Sequence, residues 1–181
     1  RGSSLPANVA EGDVLLGVMS SGVHWNGYSL VRQLVELSGL AWDAPSPFGS
    51  GTLGEALLKP TRLYVTQVLA AMAQGGLHGL AHITGGGLSE NIPRVLNPQQ
   101  GVSINLGNLA LPELFQWLAE QGGLSQAEML KTFNCGIGMV LVVAPEAQVQ
   151  ITAMLKVMDE DVIELGRVTD HPGVQYQGTL L

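Results

Sequence analysis

Cysteine is almost absent from this chain, which has 181 residues and a single thiol, at Cys135. One cysteine cannot form an intrachain disulfide or a four-thiolate zinc site, and such usage is typical of a reducing cytosol, so we predict a cytoplasmic protein. A nucleophilic thiol also needs an activating neighbour, and the sequence beside Cys135 supplies none. We therefore interpret Cys135 as a small buried apolar residue.

Positive charge is also scarce, because 8 Lys and Arg stand against 15 Asp and Glu, a net charge of −7. The cations are scattered from Arg1 to Arg167, and an acidic chain is repelled by a phosphate backbone, so we exclude nucleic acid as a partner.

Long apolar runs are missing too. The longest, at residues 139–144, is far shorter than the roughly 18 residues that span a bilayer, and we predict no membrane association.

Familiar catalytic motifs are missing as well. The chain contains no Gly-Lys pair for a Walker A loop and no G-x-S-x-G. His78 and His82 stand four positions apart, but the glutamate that follows the first histidine of a zincin is absent. We therefore predict no metal-ligating residues in this chain.

The chain begins without a methionine or an apolar signal segment. We expect residues 1–10 to be the edge of an excised piece or an interdomain linker, and residues 11–181 to form one domain. Apolar periodicity alternates between helical and extended spacing, which predicts an α+β fold, with a mixed β-sheet packed with helices in layers. The predicted strands cover residues 13–19, 77–84, 102–106, 137–144, 162–168 and 174–179. The predicted helix starts include Pro112 at the first helical position and capping boxes at residues 52–55 and 125–128.

Glycine is abundant instead, with 24 residues, about twice the usual share. The glycines cluster in three polar segments at the ends of apolar strands, which favours loops that approach a ligand closely. The first segment, residues 20–28, is a strand-to-helix turn where unpaired N–H groups would attract an anion. The alternative is that Asn26 only caps the helix and that His24 packs on Trp25. The candidate contacts in this turn are Ser21, Gly22, His24 and Asn26.

The second segment, residues 78–91, contains three consecutive glycines, which cost more folding entropy than a plain turn needs. A phosphate group would explain Gly85, Gly86 and Gly87, with His82 and Thr84 beside it, whereas Glu90 and Asn91 are candidates for capping the next helix. The third segment, residues 132–139, offers Asn134 as a contact. We interpret the acidic run at residues 159–161 as a solvated turn.

Taken together, the segments resemble one family. The motifs are S-G-x-H-x-N-G-Y-S-L at residues 21–30, K-P-T-R-L-Y at 59–64, H-I-T-G-G-G-L-x-E-N-I-P-R at 82–94 and F-N-C-G-I-G-M at 133–139. In this order, and over nearly the whole chain, they resemble the phosphoribosylformylglycinamidine cyclo-ligases, also called aminoimidazole ribonucleotide synthetases. Val23 and Trp25 depart from the family pattern, which usually has proline or leucine, and serine, at these places.

The resemblance implies that residues 11–181 are the C-terminal domain of a two-domain, ATP-dependent C–N ligase of purine biosynthesis. In this family, formylglycinamidine ribonucleotide and ATP give aminoimidazole ribonucleotide, ADP and phosphate. The N-terminal domain forms the dimer core and supplies most contacts to ATP and Mg²⁺. The expected partners are therefore that domain, the substrate and a second copy in a full-length homodimer, and the chain alone is expected to be inactive.

The resemblance also gives the candidate residues their roles. His24 and Asn26 are implied to be catalytic, as polar contacts or proton-transfer partners in an interdomain cleft, and which histidine moves a proton stays open. Substrate or phosphate contacts are implied for Ser21, Gly22, His82, Thr84, Gly85, Gly86, Gly87 and Asn134. Two alternatives also stay open: a non-catalytic ligand-binding domain of the same fold, and part of a related ATP-dependent synthetase such as formylglycinamidine ribonucleotide synthetase.

Overall fold

A computed structural model describes residues 5–181, so the first four residues of the predicted linker lie outside the described part. Residues 5–10 have no regular structure. They lie against the domain, because the backbone N–H of Ala7 donates to the carbonyl oxygen of His78 at 2.7 Å and Val9 is buried. That this segment is an interdomain linker stays a prediction.

Within the described residues 5–181, six strands and seven α-helices follow one another in mixed order, as the periodicity predicts. The strands are β1 (Val14–Met19), β2 (Leu77–His82), β3 (Gly101–Asn105), β4 (Ile137–Val143), β5 (Val162–Thr169) and β6 (Gly173–Gln177). The helices are α1 (Tyr28–Ser38), α2 (Leu53–Leu57), α3 (Val65–Gln74), α4 (Gly87–Asn91), α5 (Glu113–Gly122), α6 (Gln126–Thr132) and α7 (Gln148–Val157). Within residues 5–181, no helix combines the length and the apolar character needed to cross a membrane.

The strands form one mixed sheet in the order β2-β4-β1-β5-β3-β6. All neighbours are antiparallel except β3 and β6, which run parallel. Every residue of β4 is buried, because helices cover both faces of the sheet there. The predicted α+β class, with a mixed sheet packed with helices in layers, is confirmed.

The side chains of β1 alternate between two apolar cores, one on each face of the sheet. Leu15 belongs to the larger core, which also contains Phe115 of α5 and Phe133. Leu16 belongs to the smaller core, beneath α3 and α7, with Leu155. Because both faces of β1 are buried, this strand is the centre of the domain, and the loops at its ends are held from several sides.

Local sequence signals place most helix ends correctly. Both predicted capping boxes form, at Thr52 with Glu55 and at Ser125 with Glu128. Each N-cap side chain accepts from the backbone N–H of the glutamate, and each glutamate side chain accepts from the backbone N–H of the N-cap residue. The predicted start at Pro112 is wrong by one residue, because its extended ψ of 146° makes it the N-cap of α5.

Candidate functional site

The three glycine-rich segments meet at one edge of the sheet. In the strand register Met19 pairs with Ile137, His82 pairs with Met139, and Val18 pairs with Val162. The loops that follow β1 and β2 therefore lie beside the loops that precede β4 and β5. Residues that are more than 100 positions apart in sequence become neighbours, as the hydrogen bond of 2.9 Å from Asn134 Nδ2 to the carbonyl oxygen of Gly22 illustrates.

The turn between β1 and α1 has an unusual backbone. His24 and Trp25 have φ angles of 50° and 64°, in the left-handed region that disfavours bulky side chains. Gly27 also has a positive φ, of 64°, and a Cβ there would lie 2.7 Å from the ring of Phe133. The turn thus presses against the segment before β4, and its shape turns the His24 ring inward, where the residue is 6% exposed.

Hydrogen bonds determine which nitrogen of the His24 ring carries the proton. The backbone N–H groups of Ser21 and Arg62 point at its Nε2 atom, at 3.1 and 3.3 Å. The Ser21 hydroxyl lies 2.9 Å from the same nitrogen and donates to the carbonyl oxygen of Pro60. Because two N–H donors face Nε2, that atom must be the acceptor, and the ring proton is on Nδ1. Nδ1 is buried and has no hydrogen-bond partner, so the ring retains one unused donor.

The environment also keeps His24 neutral. Burial, the nearby His82 and the Arg62 guanidinium, in that order of size, lower the pKa of His24 from 6.5 to about 4. Near neutral pH the ring is therefore an uncharged hydrogen-bond donor, comparable to the side chains that stabilise developing oxyanions.

This depressed pKa predicts a pH-dependent stability. Between pH 6.5 and about 4 the unfolded chain binds a proton at this histidine that the folded chain does not. The stabilisation is therefore complete above pH 6.5 and is lost as the pH falls toward the folded pKa. On this account, the free energy of unfolding should fall by up to about 1.4 kcal/mol per pH unit. Urea denaturation at about pH 7 and about pH 5 measures the slope.

The control for this pH measurement is a histidine on the surface. His24→Gln should flatten the slope, while His171→Gln should leave it unchanged, because the His171 side chain is 71% exposed. The same slope in His24→Gln and in the unaltered chain would contradict the prediction.

The two asparagines join the loops to one another. Asn26 Nδ2 donates to the carbonyl oxygen of Ile83, at 3.2 Å. The alternative that Asn26 caps α1 is wrong, because Gly27 occupies the N-cap position and no side chain caps it. Asn134 is fully buried, and its Oδ1 accepts from the N–H of Gly136 at 2.8 Å. Both side chains hold the site together, and direct ligand contact by either stays a prediction.

The alternative that His24 packs on Trp25 is also wrong. The aromatic neighbour of His24 is Tyr64, with ring centroids 6.3 Å apart. Trp25 is 57% exposed and packs on Tyr28, at 5.0 Å.

The triple-glycine loop is held mainly from within. Gly86 and Gly87 have φ angles of 96° and 59°, and the N–H of Gly87 donates to the carbonyl oxygen of Thr84 at 3.0 Å. Asn91 Nδ2 donates to the carbonyl oxygens of Thr84, Gly85 and Gly87, and its Oδ1 accepts from the Thr84 hydroxyl. The interpretation of Asn91 as a helix cap is therefore wrong, since its side chain closes the preceding loop. Phosphate binding by Gly85, Gly86 and Gly87, and the roles of Thr84 and the exposed His82, stay predictions.

The sequence assigned no site residue within positions 58–64, although the K-P-T-R-L-Y motif lies there, and none at its partner Glu160. Arg62 Nη2 forms an ion pair with Glu160 Oε1 at 2.9 Å, and Tyr64 donates from its hydroxyl to the carbonyl oxygen of Met19. The solvated-turn interpretation is wrong for Glu160, which is 2% exposed. Asp159, with φ of 62°, follows the C-cap of α7 and turns the next side chain inward. The K-P-T-R-L-Y motif was the only signal, and it gave no hint of this partner.

A cavity of about 390 Å³ opens beside the turn. Its lining combines small polar residues and one lysine with apolar side chains. The lining residues are Ser20, Ser21, Gly22, Phe48, Gly49, Ser50, Ala56, Lys59, Pro112, Leu114 and Phe115. Such a mixture suits a ligand that has both an anionic and an apolar part.

Cys135 takes no part in this chemistry. It is fully buried, its thiol donates to the carbonyl oxygen of Met129 at 3.4 Å, and burial raises its pKa to about 12. The interpretation of Cys135 as a small buried residue is confirmed.

His78, which is far from this edge, bonds to Asp13 through Nδ1 at 2.8 Å.

The fold and this site define an α+β domain whose polar loops converge at one sheet edge. A family model described as "AIR synthase related protein, C-terminal domain" matches residues 10–178. The chain belongs to this family.

Solved structures of several proteins share the fold. Thiamine-monophosphate kinase from Stenotrophomonas maltophilia K279a is 16% identical, with 97% of this chain and 53% of that chain covered and a TM-score of 0.65. HypE from E. coli, a hydrogenase maturation protein, is 19% identical, with 97% and 49% covered and a TM-score of 0.64. PurL from T. maritima, complexed with FGAR, is 12% identical, with 96% and 27% covered and a TM-score of 0.57. The chain thus spans about half the length of the first two and about a quarter of PurL.

Proposed function

We propose that this chain is the C-terminal domain of an ATP-dependent cyclo-ligase that converts formylglycinamidine ribonucleotide to aminoimidazole ribonucleotide, with release of ADP and phosphate. The observation that carries the proposal is His24, a buried neutral ring whose Nε2 accepts from the motif segments at residues 21–30 and 59–64 and whose Nδ1 donor is unused. The family match over residues 10–178 supports it. ATP use is also consistent with a kinase among the structures that share the fold.

The proposed chemistry asks the protein for position and for stabilised charge on oxygen. ATP phosphorylates the amide oxygen of the substrate, an amidine nitrogen attacks the activated carbon, and phosphate leaves as the ring closes. The Nδ1–H of His24 suits a hydrogen bond to the oxygen that accumulates charge, because the ring is neutral and its other nitrogen is already bound. Asn26 holds the loop after β2 against this ring through Ile83.

Mg²⁺ accompanies ATP in this proposal, and the residues present do not fit it. Mg²⁺ prefers several oxygen ligands, including carboxylates. Within residues 5–181, no group of three or more His, Cys, Asp or Glu could hold a metal ion. We therefore assign the Mg²⁺ contacts and most ATP contacts to an N-terminal domain, which would be the chain's main partner in a cytoplasmic homodimer.

The first test is activity with and without that domain. The purified chain should fold but give no aminoimidazole ribonucleotide from formylglycinamidine ribonucleotide and ATP, because the ATP contacts lie elsewhere. A protein that joins the chain to the N-terminal domain should give product. Product from the chain alone would overturn the dependence on a second domain, and no product from the joined protein would overturn the cyclo-ligase function.

A related synthetase is the second candidate, favoured by the likeness to PurL complexed with FGAR. The joined protein is therefore assayed with FGAR, ATP and an amine donor as well. Turnover of FGAR without ring closure would establish the synthetase instead, and turnover of neither substrate would favour the non-catalytic alternative.

A further inference from the structure

We infer that Glu160 is a positioning residue for His24: by holding the Arg62 side chain, it fixes the Arg62 backbone N–H against Nε2 of the histidine. The inference rests on the proposed function for the catalytic role of His24. Glu160 itself lies in the turn between α7 and β5 and shares no hydrogen bond with the His24 ring, so it acts through Arg62.

The segment that carries Arg62 needs external support. Residues 58–64 connect α2 to α3 without regular structure, and Leu63 in the middle of the segment is 82% exposed. Such a segment has few restraints of its own and would sample many backbone conformations. The Arg62 side chain is one restraint, and the Tyr64 hydroxyl, bonded to the carbonyl oxygen of Met19 at 2.9 Å, is another.

Glu160 is itself held rigidly. α7 ends in a Schellman arrangement, in which the N–H of Glu160 donates to the carbonyl oxygen of Leu155 and the N–H of Asp159 donates to that of Lys156. The Glu160 side chain is completely buried, and its Oε1 accepts from Arg62 at 2.9 Å and from Gln67 at 2.6 Å. A charge-assisted hydrogen bond from such an anchor restricts Arg62 strongly.

Stability alone is a poor explanation for this pair. Glu160 Oε2 is buried without a hydrogen-bond partner, so the carboxylate loses hydration that the structure does not fully replace. Buried ion pairs of this kind are often no more stabilising than apolar side chains of similar size. The ion pair does one thing that an apolar pair could not do, which is to hold the Arg62 backbone N–H in place. That N–H is one of the two backbone donors that keep the His24 proton on Nδ1.

The test replaces the pair by apolar side chains of similar length. The double variant Arg62→Met/Glu160→Met should fold and lose only about 1 kcal/mol of stability, for the hydrogen bond that Gln67 no longer makes. Backbone amide exchange at position 62 should rise about tenfold, as expected for loss of one net hydrogen bond. The ring ¹⁵N signals of His24 should shift as Nε2 loses a donor. In the joined two-domain protein, kcat should fall roughly 10- to 100-fold with little change in KM, because the geometry of a donor has been loosened.

The matched control is Glu164→Gln, which removes an ion pair with Arg167 whose side chains are 37% and 49% exposed. It should leave the amide exchange at position 62, the ¹⁵N signals of His24 and kcat unchanged. Glu160→Gln, which keeps the shape and loses the charge, should give intermediate values. Unchanged amide exchange at position 62 in the double variant would overturn the inference, as would a rise in exchange shared by the whole sheet. If the unaltered joined protein closes no ring, the proposed function fails, and amide exchange and the His24 signals still decide the inference.

Discussion

Gly87→Ala should be the most damaging single-methyl substitution in the triple-glycine loop, lowering the free energy of unfolding by roughly 3 kcal/mol or more. Gly87 is buried with φ of 59°, and a Cβ there would lie 2.1 Å from the carbonyl oxygen of Leu130 and 2.7 Å from that of Phe133. Both obstacles are backbone atoms, which cannot rotate away. Urea denaturation followed by circular dichroism measures the loss.

Gly85→Ala is the matched control for this substitution. A Cβ at Gly85 meets nothing within 4 Å, and its φ is not in the left-handed region. Its stability should therefore stay within about 0.5 kcal/mol of the unaltered chain. If the two alanine variants were equally stable, the packing account of Gly87 would be wrong. If Gly85→Ala preserved stability but raised KM in the joined protein, the open position would be supported as a place of ligand approach.

His24→Ala, made in the joined two-domain protein, should lower kcat by about 100-fold or more without unfolding the domain. The substitution removes the buried, unpartnered Nδ1–H and leaves the N–H groups of Ser21 and Arg62 without their acceptor. Steady-state kinetics with formylglycinamidine ribonucleotide measures the loss, and a thermal scan confirms folding.

His24→Gln tests the two hydrogen-bonding roles of the ring together. Its amide oxygen can replace Nε2 as the acceptor and its amide N–H can donate in place of Nδ1, so stability and part of the rate should both be restored. His171→Ala, at an exposed histidine, should change neither quantity. Unchanged turnover in His24→Ala would show that the ring only packs.

The fold was largely predictable because its signals are local. The capping boxes at Thr52 and Ser125 are completed within four residues, and the apolar alternation of β3 reflects neighbours in sequence. The strand order was not predictable, since the register of β1 with β4 and β5 is set by packing between segments more than 100 residues apart.

The sequence predicted which segments form the site, but it did not predict the contacts between them. His24, Asn26 and Asn134 stand out because polar residues interrupt apolar strands beside glycines. The burial of Glu160 could not be foreseen, because acidic runs are usually solvated and only the left-handed turn at Asp159 redirects its side chain. The tautomer of His24 likewise depends on the N–H of Arg62, 38 residues away in sequence.

The central place of β1 also governs when the domain can be assembled. Residues 14–19 are among the first of this chain to be synthesised, yet their partner strands are residues 137–143 and 162–169. At ordinary elongation rates, this strand waits on the order of ten seconds for the first partner. During that time Leu15 and Leu16 are apolar groups without a sheet to enter. The sheet must therefore form late in translation, and a nascent chain that stalls before β4 would keep its most apolar early strand exposed to chaperones and to other nascent chains.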